Sequence, residues 1–247
     1  HCTYCIIPSV RGPIRSRPVD EIRAEAERLA QAGFTELVLT GIHLTSYGRD
    51  FTPRQTLLDA IRAVQDVPGV RRIRLGSLEP TVATVEFAQA LRTMDKVCPQ
   101  FHLASQPGSD TVLQRMARRY NMRMYRQAME NLRAVSPMAA FTTDVLTGFP
   151  GETEAEFEET RDFIREARYA KIHVFPYSQR EGTKAAVMPG QLSNAEKERR
   201  ARLLIAVSDE MARQYREQWV NEVAEVLLEE PVNGHWTGYT PEYIAVT

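Results

Sequence analysis

The sequence has little cysteine, almost no net charge and no long hydrophobic run, and each shortage excludes a class of protein. Three cysteines in 247 residues are too few for a disulfide framework. Basic residues number 31 and acidic residues 32, so no global field attracts nucleic acid, and RNA binding would depend on local basic patches. No apolar run approaches the roughly 20 residues that span a bilayer. We therefore expect a cytoplasmic globular protein with no membrane partner, and the start at His1-Cys2 rather than Met suggests part of a longer chain.

Short apolar segments alternate with amphipathic segments along most of the chain. The predicted strands are Tyr4–Ile7, Glu36–Thr40, Arg72–Leu75, Phe101–Ala104, Phe141–Leu146 and Ile172–Phe175. The predicted helices are Val19–Ala32, Leu57–Val64, Val85–Thr93, Met124–Val135 and Glu154–Ala167. Strand ends about 30 to 40 residues apart are typical of repeated βα units with parallel strands. Six units are too few for a closed eightfold barrel, so the fold class predicted is α/β, a partial (β/α)6 barrel with ligands at the carboxyl ends of its strands.

The pattern changes in the last quarter of the chain. A long charged helix is predicted over Asn194–Trp219, and short strand-like segments follow at Glu222–Leu228, Trp236–Gly238 and Tyr243–Val246. We therefore expect the α/β domain to occupy residues 1–220 and a small β domain to begin at residue 221. In the helix, Lys197, Arg199, Arg200 and Arg202 are interleaved with glutamates, which favours a solvated face.

Cys2 and Cys5 form a C-x-x-C pair, a spacing used by zinc sites, redox thiols and iron–sulfur clusters. No second cysteine or histidine pair completes a tetrahedral zinc site. Cys98 stands alone before a predicted strand and is interpreted as a buried structural thiol. A non-catalytic binding module with a zinc or thiol pair therefore remains the alternative to an iron–sulfur enzyme.

The segment from His1 to Pro8, with Cys2, Tyr4 and Cys5 in place, resembles the cluster loop of the radical S-adenosylmethionine (SAM) superfamily, C-x-x-x-C-x-aromatic-C. The resemblance implies that Cys2 and Cys5 ligate a [4Fe–4S] cluster together with a cysteine three residues before Cys2, outside this chain. Three thiolates leave one iron free. In the superfamily that iron binds SAM, which is cleaved to a 5′-deoxyadenosyl radical that abstracts hydrogen from the substrate.

Five further strand-end motifs are similar to those of the methylthiotransferase family within this superfamily. They are Leu39-Thr40-Gly41-Ile42-His43, Arg74-Leu75-Gly76-Ser77-Leu78-Glu79, Gln106-Pro107-Gly108-Ser109-Asp110, Leu146-Thr147-Gly148-Phe149-Pro150-Gly151-Glu152 and Pro176-Tyr177-Ser178. The resemblance implies that SAM is bound by Tyr4, Thr40, Gly41, Gln106, Gly148, Tyr177 and Ser178. Pro107 departs from the family's usual Leu-Gln-Ser-Gly and removes a backbone donor, which puts the contacts of that turn in doubt.

Within the family, the sequences after His43, after Phe175 and around Gly238-Tyr239 most resemble the MtaB type. That type implies methylthiolation of C2 of N6-threonylcarbamoyladenosine beside the anticodon, with the tRNA anticodon arm as partner and a flavodoxin or ferredoxin as electron donor. The tail from Glu222 resembles the start of a TRAM domain, a small RNA-binding β-barrel. Relatives that act on isopentenyladenosine or on a ribosomal-protein aspartate are the alternatives within the family.

Two groups of arginines are candidates for contacts with RNA. Arg11, Arg15 and Arg17 follow the cysteine loop, and Arg118 and Arg119 lie in a stretch without acidic residues, next to Tyr120. Arginine contacts to phosphates would make binding salt-sensitive, and neighbouring aromatic rings could stack on unpaired bases. The same pattern is also typical of a solvated helix face, and charge alone does not separate the two interpretations.

Overall fold

The amphipathic segments of the sequence form the helices of the computed structural model, which describes residues 2–247. The helices are α1 Ile7–Arg11, α2 Val19–Gln31, α3 Leu57–Gln65, α4 Val85–Arg92, α5 Asp110–Arg115, α6 Met122–Val135, α7 Glu154–Ala167 and α8 Asn194–Glu217. All six predicted helices are confirmed to within two residues at each end. The capping box that starts α7 is also confirmed, because the Thr153 side chain accepts from the Glu156 N–H and the Glu156 side chain accepts from the Thr153 N–H.

Five of the six predicted α/β strands are present. They are β1 Glu36–Leu39, β2 Arg72–Leu75, β3 Gln100–His102, β4 Ala140–Thr147 and β5 Lys171–Pro176. The strand predicted at Tyr4–Ile7 is wrong: these residues form a turn and the first residue of α1. Pro8 lies in the first turn of α1, where a residue without an N–H is tolerated, whereas in a strand it would remove a ladder hydrogen bond.

The described chain divides into two units. The first comprises the segment ending at Pro13, Leu103–Gln127 and Phe141–Gln218. In it β4 pairs in parallel with β5, from Thr142 opposite Lys171 to Thr147 opposite Pro176. Helix α8 covers β5, where the Ser208 hydroxyl donates to the Ile172 carbonyl at 3.4 Å. The carboxyl ends of β4 and β5 therefore lie side by side at Thr147 and Pro176.

The second unit comprises Ile14–His102, Ala128–Ala140 and Trp219–Thr247. Its strands β1 and β2 are parallel, from Glu36 opposite Arg72 to Leu39 opposite Leu75. An antiparallel sheet follows near the C-terminus, formed by β6 Leu227–Val232, β7 His235–Tyr239 and β8 Ala245–Val246. The first of these strands begins at Leu227 rather than at the predicted Glu222.

Two buried arginines of β2 join this antiparallel sheet to the rest of the second unit. Arg72 donates to the Tyr239 carbonyl at 2.9 Å, and Arg74 donates to the Pro241 carbonyl at 2.9 Å. The Arg74 guanidinium also lies 4.5 Å from the centre of the Tyr243 ring. The separate domain predicted from residue 221 stays a prediction. No helix within residues 2–247 has both the length and the hydropathy to cross a membrane.

Candidate functional site

The cysteine loop is a tight turn fixed by its backbone. The Cys5 N–H donates to the Cys2 carbonyl at 3.2 Å. Between them, the Thr3 N–H donates to the Met116 carbonyl and the Thr3 hydroxyl donates to the Arg115 carbonyl, both at 3.0 Å. The Thr3 carbonyl accepts from the Ala185 N–H at 2.9 Å. Cys2 and Cys5 are free, half-buried thiols. The fold therefore holds the turn in place without using either sulfur.

Tyr4 anchors the same loop through its side chain. Its ring packs on a buried cluster formed by Val112, Met116, Phe149, Tyr177 and Ala185. The ring meets Phe149 edge to face with centroids 6.2 Å apart, and the hydroxyl accepts a hydrogen bond from Arg118 Nη2 at 2.8 Å. Burial raises the pKa of Tyr4, against the effect of Arg118. The loop and the turn after β4 are thus parts of one packed surface in the first unit.

The turn after β4 is shaped around Gly148 and Glu152. Gly148 has a φ of +74°, which glycine adopts without the cost that a side chain incurs. Its N–H donates to Glu152 Oε2 at 2.6 Å. Arg200 of α8 donates to the same oxygen at 2.8 Å, and the Arg200 and Glu152 side chains are only 5% and 1% exposed. Burial raises the pKa of Glu152, while Arg200 and the Gly148 N–H oppose that shift.

Lys197 and Arg200 correct the expectation of a solvated face on α8, because both are buried. A Cβ built on Gly148 would lie 2.5 Å from Lys197 Cγ, so the Lys197 stem occupies the space beside this glycine. The Lys197 ammonium lies 5.1 Å from the centre of the Tyr177 ring. The sequence feature that indicates this burial is the helical spacing of three or four residues. It places Lys197 and Arg200 on the same helix face as Leu204, Val207 and Met211, which are also buried.

A small cleft opens at the end of β5. It has a volume of about 260 Å³ and is lined by Pro176, Tyr177, Ser178, Gln179, Asn194, Lys197 and Glu198. Next to it, the Tyr177 N–H donates to the Thr147 carbonyl at 2.8 Å. Within the described residues, the buried hydroxyls of Tyr177 and Thr147 have no hydrogen-bond partner. Buried polar groups are normally paired, so these two hydroxyls are available to a ligand.

Gln106 is placed by an unusual backbone. Its φ is +64°, a left-handed conformation that is uncommon outside glycine and often marks a functional turn. Its N–H donates to the Asp144 carbonyl at 3.0 Å, and its carbonyl accepts from the Leu146 N–H at 3.1 Å. Two residues on, the Gly108 N–H donates to the Thr160 hydroxyl at 3.0 Å. The turn is therefore tied to β4 and α7 even with proline at position 107.

Thr40 and Gly41 belong to the second unit, where they are exposed at the end of β1. They are followed by a polar network that was not predicted. His43 Nε2 lies 3.0 Å from Glu79 Oε2, and His43 Nδ1 makes a short hydrogen bond with the Ser46 hydroxyl. The Glu79 N–H donates to the Thr45 hydroxyl at 3.0 Å. These contacts join the turn after β1 to the turn after β2.

The candidate RNA-binding arginines differ in their surroundings. Arg11 and Arg119 of the first unit and Arg15 and Arg17 of the second are exposed. Arg118 is half-buried against Tyr4. The first four are therefore accessible to a partner, although Arg17 also pairs with Glu21 at 3.5 Å. Arg118, in contrast, has a structural contact that the sequence did not indicate.

The substitution Gly148→Ala is expected to destabilise the protein by about 3 kcal/mol. The left-handed backbone would cost about 1 to 2 kcal/mol, and displacing the Lys197 stem would add strain of a similar size. Gly33→Ala is a matched control, because Gly33 has a φ of +94° but no atom within 4 Å of an added Cβ. Urea unfolding of both variants measures the difference, and equal losses would contradict the assigned role of Lys197.

The comparison with known families identifies the class of protein. The sequence profile of the Radical SAM superfamily matches residues 1–164, and the chain therefore belongs to the radical SAM superfamily. It is 18% identical to a solved structure of the radical SAM methyltransferase TsrM from Kitasatospora setae, with a TM-score of 0.62, over 76% of this chain and 36% of that one. The α/β fold class predicted from the sequence, a partial barrel of the radical SAM type, is confirmed.

Individual relatives within the superfamily are similar to this chain along nearly its whole length. The chain is 42% identical over 250 residues to threonylcarbamoyladenosine tRNA methylthiotransferase MtaB of Bacillus subtilis, covering 99% of this chain and 55% of that protein. It is 41% identical to tRNA-2-methylthio-N(6)-dimethylallyladenosine synthase of Symbiobacterium thermophilum, covering 93% and 50%. The predicted resemblance to the MtaB type is confirmed. The chain spans about half the length of the curated relatives it matches.

Proposed function

We propose that the whole protein is a tRNA methylthiotransferase of the MtaB type, which adds a methylthio group to C2 of N6-threonylcarbamoyladenosine next to the anticodon. The observation that carries this proposal is the 42% identity to MtaB along 99% of the chain. Methylthiolation of isopentenyladenosine is the second candidate, because a synthase for that type of nucleoside is 41% identical.

Cys2 and Cys5 hold a [4Fe–4S] cluster in this proposal, with a third cysteine that the superfamily loop places three residues earlier. When bound, the cluster supplies the electron that cleaves SAM to methionine and the 5′-deoxyadenosyl radical. The cysteine loop supports this assignment because its two thiols are free and its backbone is already fixed. Among residues 2–247, no group of three or more His, Cys, Asp or Glu side chains is arranged to hold a metal ion, so the two cysteines need a ligand from elsewhere.

In the first unit, SAM is bound by Tyr4, Gln106, Gly148, Tyr177 and Ser178 in this proposal. Thr40 and Gly41, the other SAM residues that the family resemblance implies, belong to the second unit and stay predictions. Two observations support the first group. The hydroxyls of Tyr177 and Thr147 are buried without partners, and Ser178 lines the cleft at the end of β5. The rings of Tyr4, Phe149 and Tyr177 pack edge to face. Phe149 and Tyr177 are buried, so the half-buried Tyr4 is the ring that presents apolar surface to a nucleoside.

The anticodon arm of tRNA is the macromolecular partner in this proposal. The exposed guanidinium groups of Arg11, Arg15, Arg17 and Arg119 bind phosphates. Arg118, predicted with them, is hydrogen-bonded to Tyr4 instead. Residues 221–247 begin a TRAM-like RNA-binding domain after a radical SAM core over residues 1–220, and the exposed Trp236 of β7 could stack on an unpaired base. The enzyme works in the cytoplasm and receives electrons from a flavodoxin or ferredoxin.

Nucleoside mass spectrometry of tRNA tests the proposal. In cells lacking the gene, 2-methylthio-N6-threonylcarbamoyladenosine should disappear while N6-threonylcarbamoyladenosine persists, and the full-length gene should restore the product. Loss of the methylthio group from isopentenyladenosine instead would establish the second candidate. If both modified nucleosides are unchanged, the tRNA assignment is wrong, and a ribosomal-protein aspartate becomes the substrate to examine.

A further inference from the structure

We propose that Arg118 is a positioning residue for the cysteine loop: through its hydrogen bond to Tyr4, it holds Cys2 and Cys5 in the shape that receives the iron–sulfur cluster. This inference rests on the proposed function only in taking the two cysteines as cluster ligands. It assigns Arg118 a role different from the contact with RNA that the charge pattern suggested.

The first step of the argument is where Arg118 lies. Its Nη2 donates to the Tyr4 hydroxyl at 2.8 Å. Its guanidinium carbon is 5.9 Å from the centre of the Tyr4 ring and 5.7 Å from the centre of the Tyr120 ring. Arg118 therefore bridges one ring on the cysteine loop and one ring outside it.

The second step is that Tyr120 is a fixed point. It is 4% exposed, and its hydroxyl donates to the Ala104 carbonyl at 2.7 Å. The contact of the Arg118 guanidinium with this ring restricts the conformations that the side chain can adopt. The hydrogen bond to Tyr4 then costs little further entropy, which favours a single position for the loop.

The third step is what distinguishes the Arg118 hydrogen bond from the other contacts of this loop. The backbone bonds fix Thr3 and the Cys2–Cys5 turn, but they do not fix the direction of the Tyr4 ring between the two cysteines. The Tyr4 ring also packs on the buried cluster around Phe149. Such apolar contacts are not directional, whereas the hydrogen bond from Arg118 sets where the hydroxyl end of the ring lies. Residues that orient metal ligands typically change metal affinity by about 10- to 100-fold when they are removed.

The test uses the full-length protein, purified without oxygen and reconstituted with ferrous iron and sulfide. In the metal-free protein, Arg118→Gln and Tyr4→Phe should each make Cys2 and Cys5 react with iodoacetamide roughly 10-fold faster than in the wild type. Each substitution removes the same hydrogen bond, the one that the charged Arg118 donates to the Tyr4 hydroxyl. In the reconstituted protein, both variants should lose iron to a chelator faster by a similar factor. The double variant should match the single variants, since the two changes break one contact.

Arg119→Gln is the matched control, because Arg119 is the exposed neighbour. It should leave thiol reactivity and iron release as in the wild type. Arg118→Lys keeps the charge but loses the planar fork, so it should restore the wild-type behaviour only in part. Unchanged melting temperatures would show that the variants are folded.

Two results would overturn the inference. One is that Arg118→Gln leaves thiol reactivity and iron release unchanged in a protein whose wild type binds the cluster. The other is that Arg118→Gln weakens tRNA binding and lowers its salt dependence as Arg119→Gln does, while Tyr4→Phe does nothing. Failure of the wild type itself to bind iron would instead count against the proposed function.

Discussion

Replacing Cys5 by alanine in the full-length protein is expected to lower the iron content by about four atoms per chain, the size of one cubane cluster. The methylthiolated nucleoside should fall by at least roughly 1000-fold, because in the proposed function this cluster is the group that reduces SAM. The thiol of Cys5 is free and half-buried, so its removal breaks no disulfide bond. Iron analysis and mass spectrometry of tRNA measure the two effects.

Cys98→Ala is the control for that experiment. Cys98 is 2% exposed, and burial raises the pKa of its thiol to about 11. The group is therefore a neutral thiol at physiological pH and a poor ligand. The Cys98 variant should keep its iron and its activity. Iron retained by Cys5→Ala, or lost by Cys98→Ala, would contradict the assignment of the cysteine loop.

Local signals were enough to predict most of the fold. Apolar periodicity located α2 and α7 correctly, and the Thr153 capping box fixed where α7 begins. The cysteine loop was misread because Ile6 and Ile7 look like part of a strand, while Pro8 favours the first turn of a helix. Periodicity over four residues cannot separate these two outcomes.

The side-chain contacts of the candidate site were less predictable, because their partners lie far apart in sequence. Arg118 is 114 residues from Tyr4, and Arg200 is 48 residues from Glu152. In the sequence both arginines are typical of a solvated basic face, and only the three-dimensional structure shows their partners. The motifs could therefore point to Cys2 and Tyr4, but they could not show which charged residue holds them.

The buried arginines of β2 show the same limit. Arg72 and Arg74 are both 5% exposed, although charged residues are rarely buried without partners. Glu36 pairs with Arg74 at 2.8 Å, and carbonyls of the C-terminal segment accept from both arginines. The chain after residue 219 thus supplies, together with Glu36, the partners that compensate this burial. No local pattern in β2 predicts these partners.

Arg200→Met is expected to destabilise the protein by about 3 kcal/mol, because removing one partner of a buried ion pair leaves the other charge uncompensated. Arg200 donates from Nη1 to Glu152 Oε2 at 2.8 Å and from Nε to Glu196 Oε1 at 2.7 Å. Glu152 would keep its bond from the Gly148 N–H at 2.6 Å. Urea unfolding of the variant and the wild type measures the loss.

Arg199→Met is a close control, because Arg199 pairs with Glu154 and Glu196. Arg200 pairs with these two glutamates as well as with Glu152. The Arg199 side chain is 41% exposed, and exposed pairs contribute about 1 kcal/mol or less.

Adding Glu152→Gln to Arg200→Met should recover part of the lost stability, because the uncompensated charge is removed together with its partner. Equal losses from the Arg199 and Arg200 variants would mean that the Glu152 contact does not brace the turn after β4. A much larger loss from Arg200→Met than from Arg199→Met, reduced in the double variant, would show that the Arg200–Glu152 contact from α8 stabilises the turn at Gly148.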